Sequence, residues 1–170
     1  QPDIIVTRFN ETPGITHGHH TASAILAHEA FKAAADKNQF KDQLQFVDPW
    51  QTKKLYWNTS SWFYRNDDDF NESDYIKLDV GGYDAVLGES YTEIAAKSRS
   101  QHKSQAFGSS GTRGQQDELF EQWEGEKSEN DLFDNIATDW AGIENGERIE
   151  RSVQDILNKF DPSNPSKSVN

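Results

Sequence analysis

The 170-residue chain has no cysteine and no methionine. Without cysteine there is no disulfide, no Cys-ligated zinc, no iron–sulfur cluster and no thiol nucleophile. A cysteine-free composition suits a secreted or periplasmic protein. A chain that opens QPDIIV without an initiator methionine is expected to be processed, or to be an internal segment of a longer protein. Cations are scarce: 17 Lys and Arg stand against 29 Asp and Glu, for a net charge of -12 and a pI near 4.7. Phosphate neutralisation needs clustered Lys and Arg, so no nucleic-acid partner is expected. Nor does any stretch approach the roughly 18 apolar residues of a membrane helix, so no membrane-spanning segment is expected. Hydrophobic residues make up only 34%, with a mean hydropathy of -0.91, yet five Trp and ten Phe are present. The expected core is therefore small and built on rings, each of which buries a large area.

Asp3–Phe9, DIIVTRF, reads as a strand covered on both faces, because Ile4, Ile5 and Val6 show no polar alternation. A Pro/Gly-punctuated loop follows. Thr21–Ala35 is dense in alanine and predicts a helix. Its apolar positions wrap most of the way round, the pattern of a largely buried helix. Strand, loop and buried helix make half of a βαβ unit, which implies an α/β fold of short parallel strands with dominant helices. Further strands are expected at Lys54–Trp57 and Ile76–Val80, and further helices at Thr92–Phe107, Asp117–Trp123 and Glu147–Phe160. Ser90 with Glu93 three residues on is a capping-box pattern for the first of these helices. Phe133, Ile136 and Trp140 are spaced to anchor a turn-rich segment on a partner surface.

Four of the five histidines fall in residues 17–28, three of them in HGHH. His17 and His20, at i and i+3 of a helix entrance, can point to one side of its first turn. That spacing suits two metal ligands, or one ligand beside a proton donor. A plain solvated helix cap carries the same pattern. The loop follows a strand directly, and active sites of α/β sheets lie at strand carboxyl ends. His28 is a poor third ligand, since eight helical residues at about 1.5 Å each carry it roughly 12 Å further on. A catalytic zinc takes about three protein ligands, and HGHH supplies one or two.

A second polar group lies in SRSQHKSQ: Arg99, His102, Ser104 and Gln105, with Ser98, His102 and Gln105 on one face of a continuing helix. That face could line a polar substrate cleft or be an ordinary solvated surface. The run Asp67–Asp69 suggests calcium, but an EF-hand counted from Asp67 puts Glu72 where Gly is required and Leu78 where Glu is required. GSSGTRG lacks the GK[ST] ending of a phosphate loop, and no GxSxG is present.

DIIVTRFNETPG followed by HGHHTASAILAHEAF resembles the second half of the PIG-L/LmbE-like zinc N-deacetylases, in their long bacterial form. KLDVGGYDAVLGESYTEIAAKSRSQHKSQAFGS is similar to the later part of that domain, and LFDNIATDW onward to the segment that follows it. The resemblance implies an incomplete Rossmann-like domain over residues 1–125 and a helical or linker segment over 126–170. It also implies a mononuclear zinc held by a His and an Asp of an AHPDD-type motif together with the second His of HxxH. His20 is then the metal ligand and His17 the catalytic residue that stabilises the developing oxyanion. Arg99, His102, Ser104 and Gln105 become candidate substrate-binding residues. In that family a zinc-bound water attacks an acetamide carbonyl, and the substrate is an N-acetylated sugar or related amide.

AHPDD is absent here, and with it two ligands and the general base. The chain is thus expected to be a fragment that holds zinc weakly or not at all and is inactive alone, its missing N-terminal half being a natural partner. A different class of function remains open: a non-catalytic carbohydrate-binding or scaffold module, with Trp57, Trp62, Tyr64 and Tyr83 as a stacking surface. HGHH as a fortuitous metal binder is a third.

Overall fold

The β-branched run near the amino terminus forms a strand, and the alanine-rich segment after the histidines forms a helix, as their composition requires. The computed structural model describes residues 1–64, 69–105 and 108–168. In chain order its elements are β1 (Ile4–Thr7), α1 (Gly18–Ala33), β2 (Lys54–Thr59), β3 (Ile76–Asp79), β4 (Tyr83–Asp84), β5 (Glu89–Ser90), α2 (Tyr91–Arg99), β6 (Asp117–Gly125) and α3 (Glu147–Lys159). The chain divides into two units: Gln1–Leu78 with Glu118–Asp134, and Asp79–Asp117 with Asn135–Asn170. No helix among the described residues is long and apolar enough to cross a membrane.

In the first unit α1 carries the chain from β1 to a parallel β2, in the register Ile4–Lys54 through Thr7–Trp57. Parallel neighbours require such a crossover, so the α/β reading holds. The sheet order is β1-β2-β6-β3, and β6 runs antiparallel to β2, which makes the sheet mixed rather than parallel throughout. Asp117–Trp123, expected as a short helix, is the first part of β6. Its Glu, Leu and Gln residues favour a helix locally. Its alternation sends Phe120 and Gln122 to one face and Leu119, Glu121 and Trp123 to the other, and pairing with buried β2 overrides that weak local preference.

A β-bulge shapes this pairing. Leu55 opposes Glu124 while Tyr56 opposes Gln122, so Trp123 is the extra residue. A bulge turns two successive side chains to the same face. Trp123 accordingly stacks between Trp57 (5.7 Å between centroids) and His28 of α1 (4.8 Å). Glu124 reaches the same helix, with Oε1 3.1 Å from His28 Nδ1 and 3.0 Å from Lys32 Nζ. Gly125 closes β6 at φ +94, and a Cβ there would fall 1.9 Å from the Lys53 carbonyl oxygen.

The opposite face carries Tyr56 and Phe120, packed with Leu132 and flanked by Ile4, Ile76 and Leu78. Lys54 also lies in this layer and is 1% exposed. Its Nζ donates to Ser128 Oγ at 2.6 Å and to the Asp134 carbonyl. Ser128 Oγ is 2.6 Å from the Tyr56 hydroxyl, which donates to the Leu132 carbonyl at 3.1 Å. The Asp134 carboxylate accepts the N–H groups of Glu129, Asn130 and Asp131. These backbone bonds, with Lys54 nearby, hold its pKa below the usual carboxylate range.

α1 departs from expectation in its burial. Only Ala24 and Phe31 are buried, while Ile25 and Leu26 are 41% and 59% exposed. β1 is the edge of the sheet, with Val6 half exposed, not a strand covered on both faces.

In the second unit β4 and β5 pair antiparallel and lead into α2. The capping box forms as expected: Ser90 Oγ accepts the Glu93 N–H, and the Glu93 side chain accepts the Ser90 N–H. α2 stops at Arg99 rather than continuing toward Phe107, and residues 106–107 lie outside the described residues. Ser100 Oγ donates back to the Ala96 carbonyl at 2.8 Å, a side-chain bond that mildly destabilises a helix. α3 forms within one residue of the expected bounds, with Ile149, Ile156 and Leu157 exposed along it.

Removing Lys54 strands one buried and one half-buried acceptor and leaves a cavity, so Lys54→Ala is expected to cost about 3 kcal/mol and Tyr56→Phe about 1 kcal/mol, both by urea denaturation. In the second unit the Arg113 guanidinium, with the Ser90 N–H, lowers the Glu93 carboxyl to about 2 from an ordinary 4.5. A carboxyl depressed in the folded state contributes stability above its unfolded pKa and loses it as pH falls through the folded value. Glu93 therefore stabilises above about pH 4.5 and stops doing so as pH falls toward 2. Carboxyl ¹³C NMR of Glu93 should show that low midpoint, and Arg113→Gln should raise it.

Candidate functional site

The loop that leaves β1 returns at the carboxyl end of that strand and opens α1. His17 is the N-cap in extended conformation (φ -70, ψ 153), and its side chain makes no capping bond. Its carbonyl accepts the N–H groups of His20 at 2.9 Å and Thr21 at 3.2 Å. The tight first turn brings the His17 and His20 rings to 5.4 Å between centroids. His19 meets His20 edge-on at 6.2 Å. Phe9, just past β1, lies flat on His20 at 3.8 Å with an interplanar angle of 3°. That stack fixes the His20 plane, and nothing in the spacing of HGHH signalled it. Phe9 read only as the end of a strand.

Two hydroxyls near these strand ends are buried without a hydrogen-bond partner among the described residues: Thr16, which precedes His17, and Thr59, the last residue of β2. Beside them Arg8 donates to the Asn58 side chain at 2.7 Å and sits 5.6 Å from the Phe63 ring centroid.

His17 and His20 are brought together, but among the described residues no three His, Asp or Glu groups gather closely enough to hold an ion. Two imidazoles fall short of a catalytic zinc set, so the residues present do not by themselves fit one. His28 is engaged elsewhere, on Glu124 and Trp123. Asp67 and Asp68 lie outside the described residues.

Arg99, His102 and Gln105 do converge, in the second unit. With Ala95 and Ser98 they line a shallow depression of about 360 Å³, although α2 has ended before His102. A turn replaces the expected helix: the His102 N–H bonds the Arg99 carbonyl at 3.0 Å, and the Gln105 N–H bonds the His102 carbonyl at 3.1 Å. Ser104 is exposed and does not line the depression.

Of the four candidate stacking aromatics, Trp57 is 4% exposed and forms core. Tyr64 bonds Tyr75 through their hydroxyls at 2.5 Å and packs on Phe70. Burial and that bond push the Tyr75 hydroxyl pKa up. Trp62 presents an open ring at 65% exposure, and Tyr83, exposed as well, belongs to the second unit.

The Phe9 ring current should shift the His20 ring protons upfield of those of His19 in ¹H NMR. In Phe9→Ala the difference is expected to vanish, with loss of about 1 kcal/mol of stability from the removed ring contact. No family model, curated protein or solved structure matches the chain.

Proposed function

We propose that the chain is the later part of a PIG-L/LmbE-like zinc N-deacetylase with an incomplete Rossmann-like sheet, inactive alone. In the intact protein it acts on an N-acetylated sugar or related amide. The observation that carries this reading is the placement of His17 and His20 together on the first turn of α1, against Phe9 at the carboxyl end of β1, the parallel neighbour of β2. Ligands gather at such strand ends in α/β sheets. Further support comes from what the chain leaves uncovered: the open edge of β1, and Ile25 and Leu26 on an alanine-rich helix. An apolar edge strand asks for a neighbour, and the missing first half of the sheet would supply one. The orphaned hydroxyls of Thr16 and Thr59 are buried groups that such a neighbour, or a bound polar molecule, would satisfy.

In this reading His20 is one metal ligand and His17 steadies the developing oxyanion. Arg99, His102 and Gln105, which share a depression, are assigned to the substrate, and Ser104, outside it, is set aside. The remaining ligands and the general base belong to an upstream AHPDD-type segment. No step through the metal follows from this chain's own residues.

The test is a longer chain that includes such a segment. It is expected to bind zinc by calorimetry and to release acetate from an N-acetylglucosaminide. His20→Ala should abolish zinc binding. His17→Ala should keep zinc and lower kcat about 100-fold, the scale of losing one oxyanion donor. Full zinc affinity and activity in His20→Ala would sink the assignment. In the 170-residue chain, sub-micromolar zinc binding would contradict the missing ligands. The exposed Trp62 favours one other reading, a carbohydrate-binding module. That reading requires N-acetylchitooligosaccharide binding by the present chain that Trp62→Ala removes.

A further inference from the structure

β6 has nine residues and β3 only four. The Val80 N–H bonds the Gln116 carbonyl at 2.7 Å, just before β6 begins, which sets β3 alongside the first part of β6. Ahead of β3 the chain leaves the sheet in a 3-10 turn at Glu72–Asp74. On the side away from β2, residues 121–125 therefore have no strand beside them among the described residues. In an antiparallel pair alternate residues direct both N–H and C=O outward; here the Gln122 amide caps the Glu124 carbonyl at 3.3 Å, and the outward groups that remain are a template for another strand.

A groove of about 530 Å³ runs along this stretch. Its walls include Asp74, Ile76, Glu121, Trp123, Lys127 and Ser128. We propose that it binds an extended basic peptide segment, which adds as a strand beside residues 121–125 and sets Lys or Arg side chains against Asp74 and Glu121. Backbone bonds would supply affinity and the alternating pockets selectivity. The charge argues for this occupant. Lys127 is the one cation on the walls against three carboxylates, of which Glu124 is already held by Lys32 and His28. Burial raises the Glu121 carboxyl pKa, against a partly offsetting bond from Trp123. An incoming cation relieves that cost. A second copy of the chain, with its net charge of -12, would bring like charge to the same edge.

The experiment titrates the ¹⁵N-labelled chain with acetyl-Val-Lys-Val-Lys-Val-Lys-amide, with its Glu-for-Lys counterpart, and with a version of the Lys peptide N-methylated at alternate backbone amides. The Lys peptide is expected to bind saturably, with amide shifts centred on residues 120–125. N-methylation keeps the charge but removes strand pairing, and should weaken binding about tenfold or more. Glu121→Gln and Asp74→Asn should each weaken the Lys peptide about threefold. The Glu peptide should not bind. Equal binding of the N-methylated peptide would show charge attraction without strand addition and overturn the inference. So would shifts centred away from β6, or no binding of the Lys peptide. The peptide comparison needs no variant, so it does not depend on any substitution folding.

Discussion

A lysine ammonium sealed inside a small sheet constrains the first unit more than any other feature. Lys54 sits at the start of β2 with almost no exposure, and its ammonium donates hydrogen bonds to Ser128 Oγ and the Asp134 carbonyl. Burying a charge is costly unless it is hydrogen-bonded. The segment from Glu126 to Asp134 therefore cannot wander. Ser128 passes its bond to Tyr56 and Tyr56 passes one to the Leu132 carbonyl, so one relay ties β2 to the loop that lids the core. The Asp134 carboxylate completes the loop by gathering three backbone N–H groups. With a core of few apolar residues, this polar clasp does work that aliphatic packing does in richer sequences.

The other face of the same sheet aims the histidines. β2 fixes β1 in parallel register, β1 delivers Phe9, and Phe9 holds the plane of His20. Further along α1, His28 and Lys32 are pinned by Glu124, which reaches them because the bulge at Trp123 turns it inward. One extra residue in β6 thus anchors the helix whose first turn carries the candidate site. The helix is held along that side, while Ile25 and Leu26 stay exposed.

Several elements were legible in the residues. Ile4–Val6 could hardly be anything but a strand, the alanine-rich stretch of α1 is a helix by propensity alone, and Ser90 with Glu93 announced the cap of α2. The proximity of His17 and His20 followed from i, i+3 spacing. Illegible were the features that depend on residues distant in sequence. DELFEQWEG has helix-forming residues and becomes a strand only because β2 lies beside it. SRSQHKSQ reads as a continuing helix, but α2 ends at Arg99, so Arg99, His102 and Gln105 share a depression built on a turn. Lys54 looks like a surface charge until Ser128 and Asp134 arrive from more than seventy residues away.

By itself, then, the sequence determined the local matter: an α/β class, the places of β1 and α1, the paired imidazoles, and a net negative charge. Such properties rest on propensity, periodicity and charge, which act over a few residues. Tertiary structure alone decided that the sheet is mixed, that a lysine is core and a leucine is surface, that part of β6 has no strand beside it among the described residues, and that His28 answers to Glu124. Each of these is settled by which groups meet across the fold, and burial is a property of the meeting rather than of the residue.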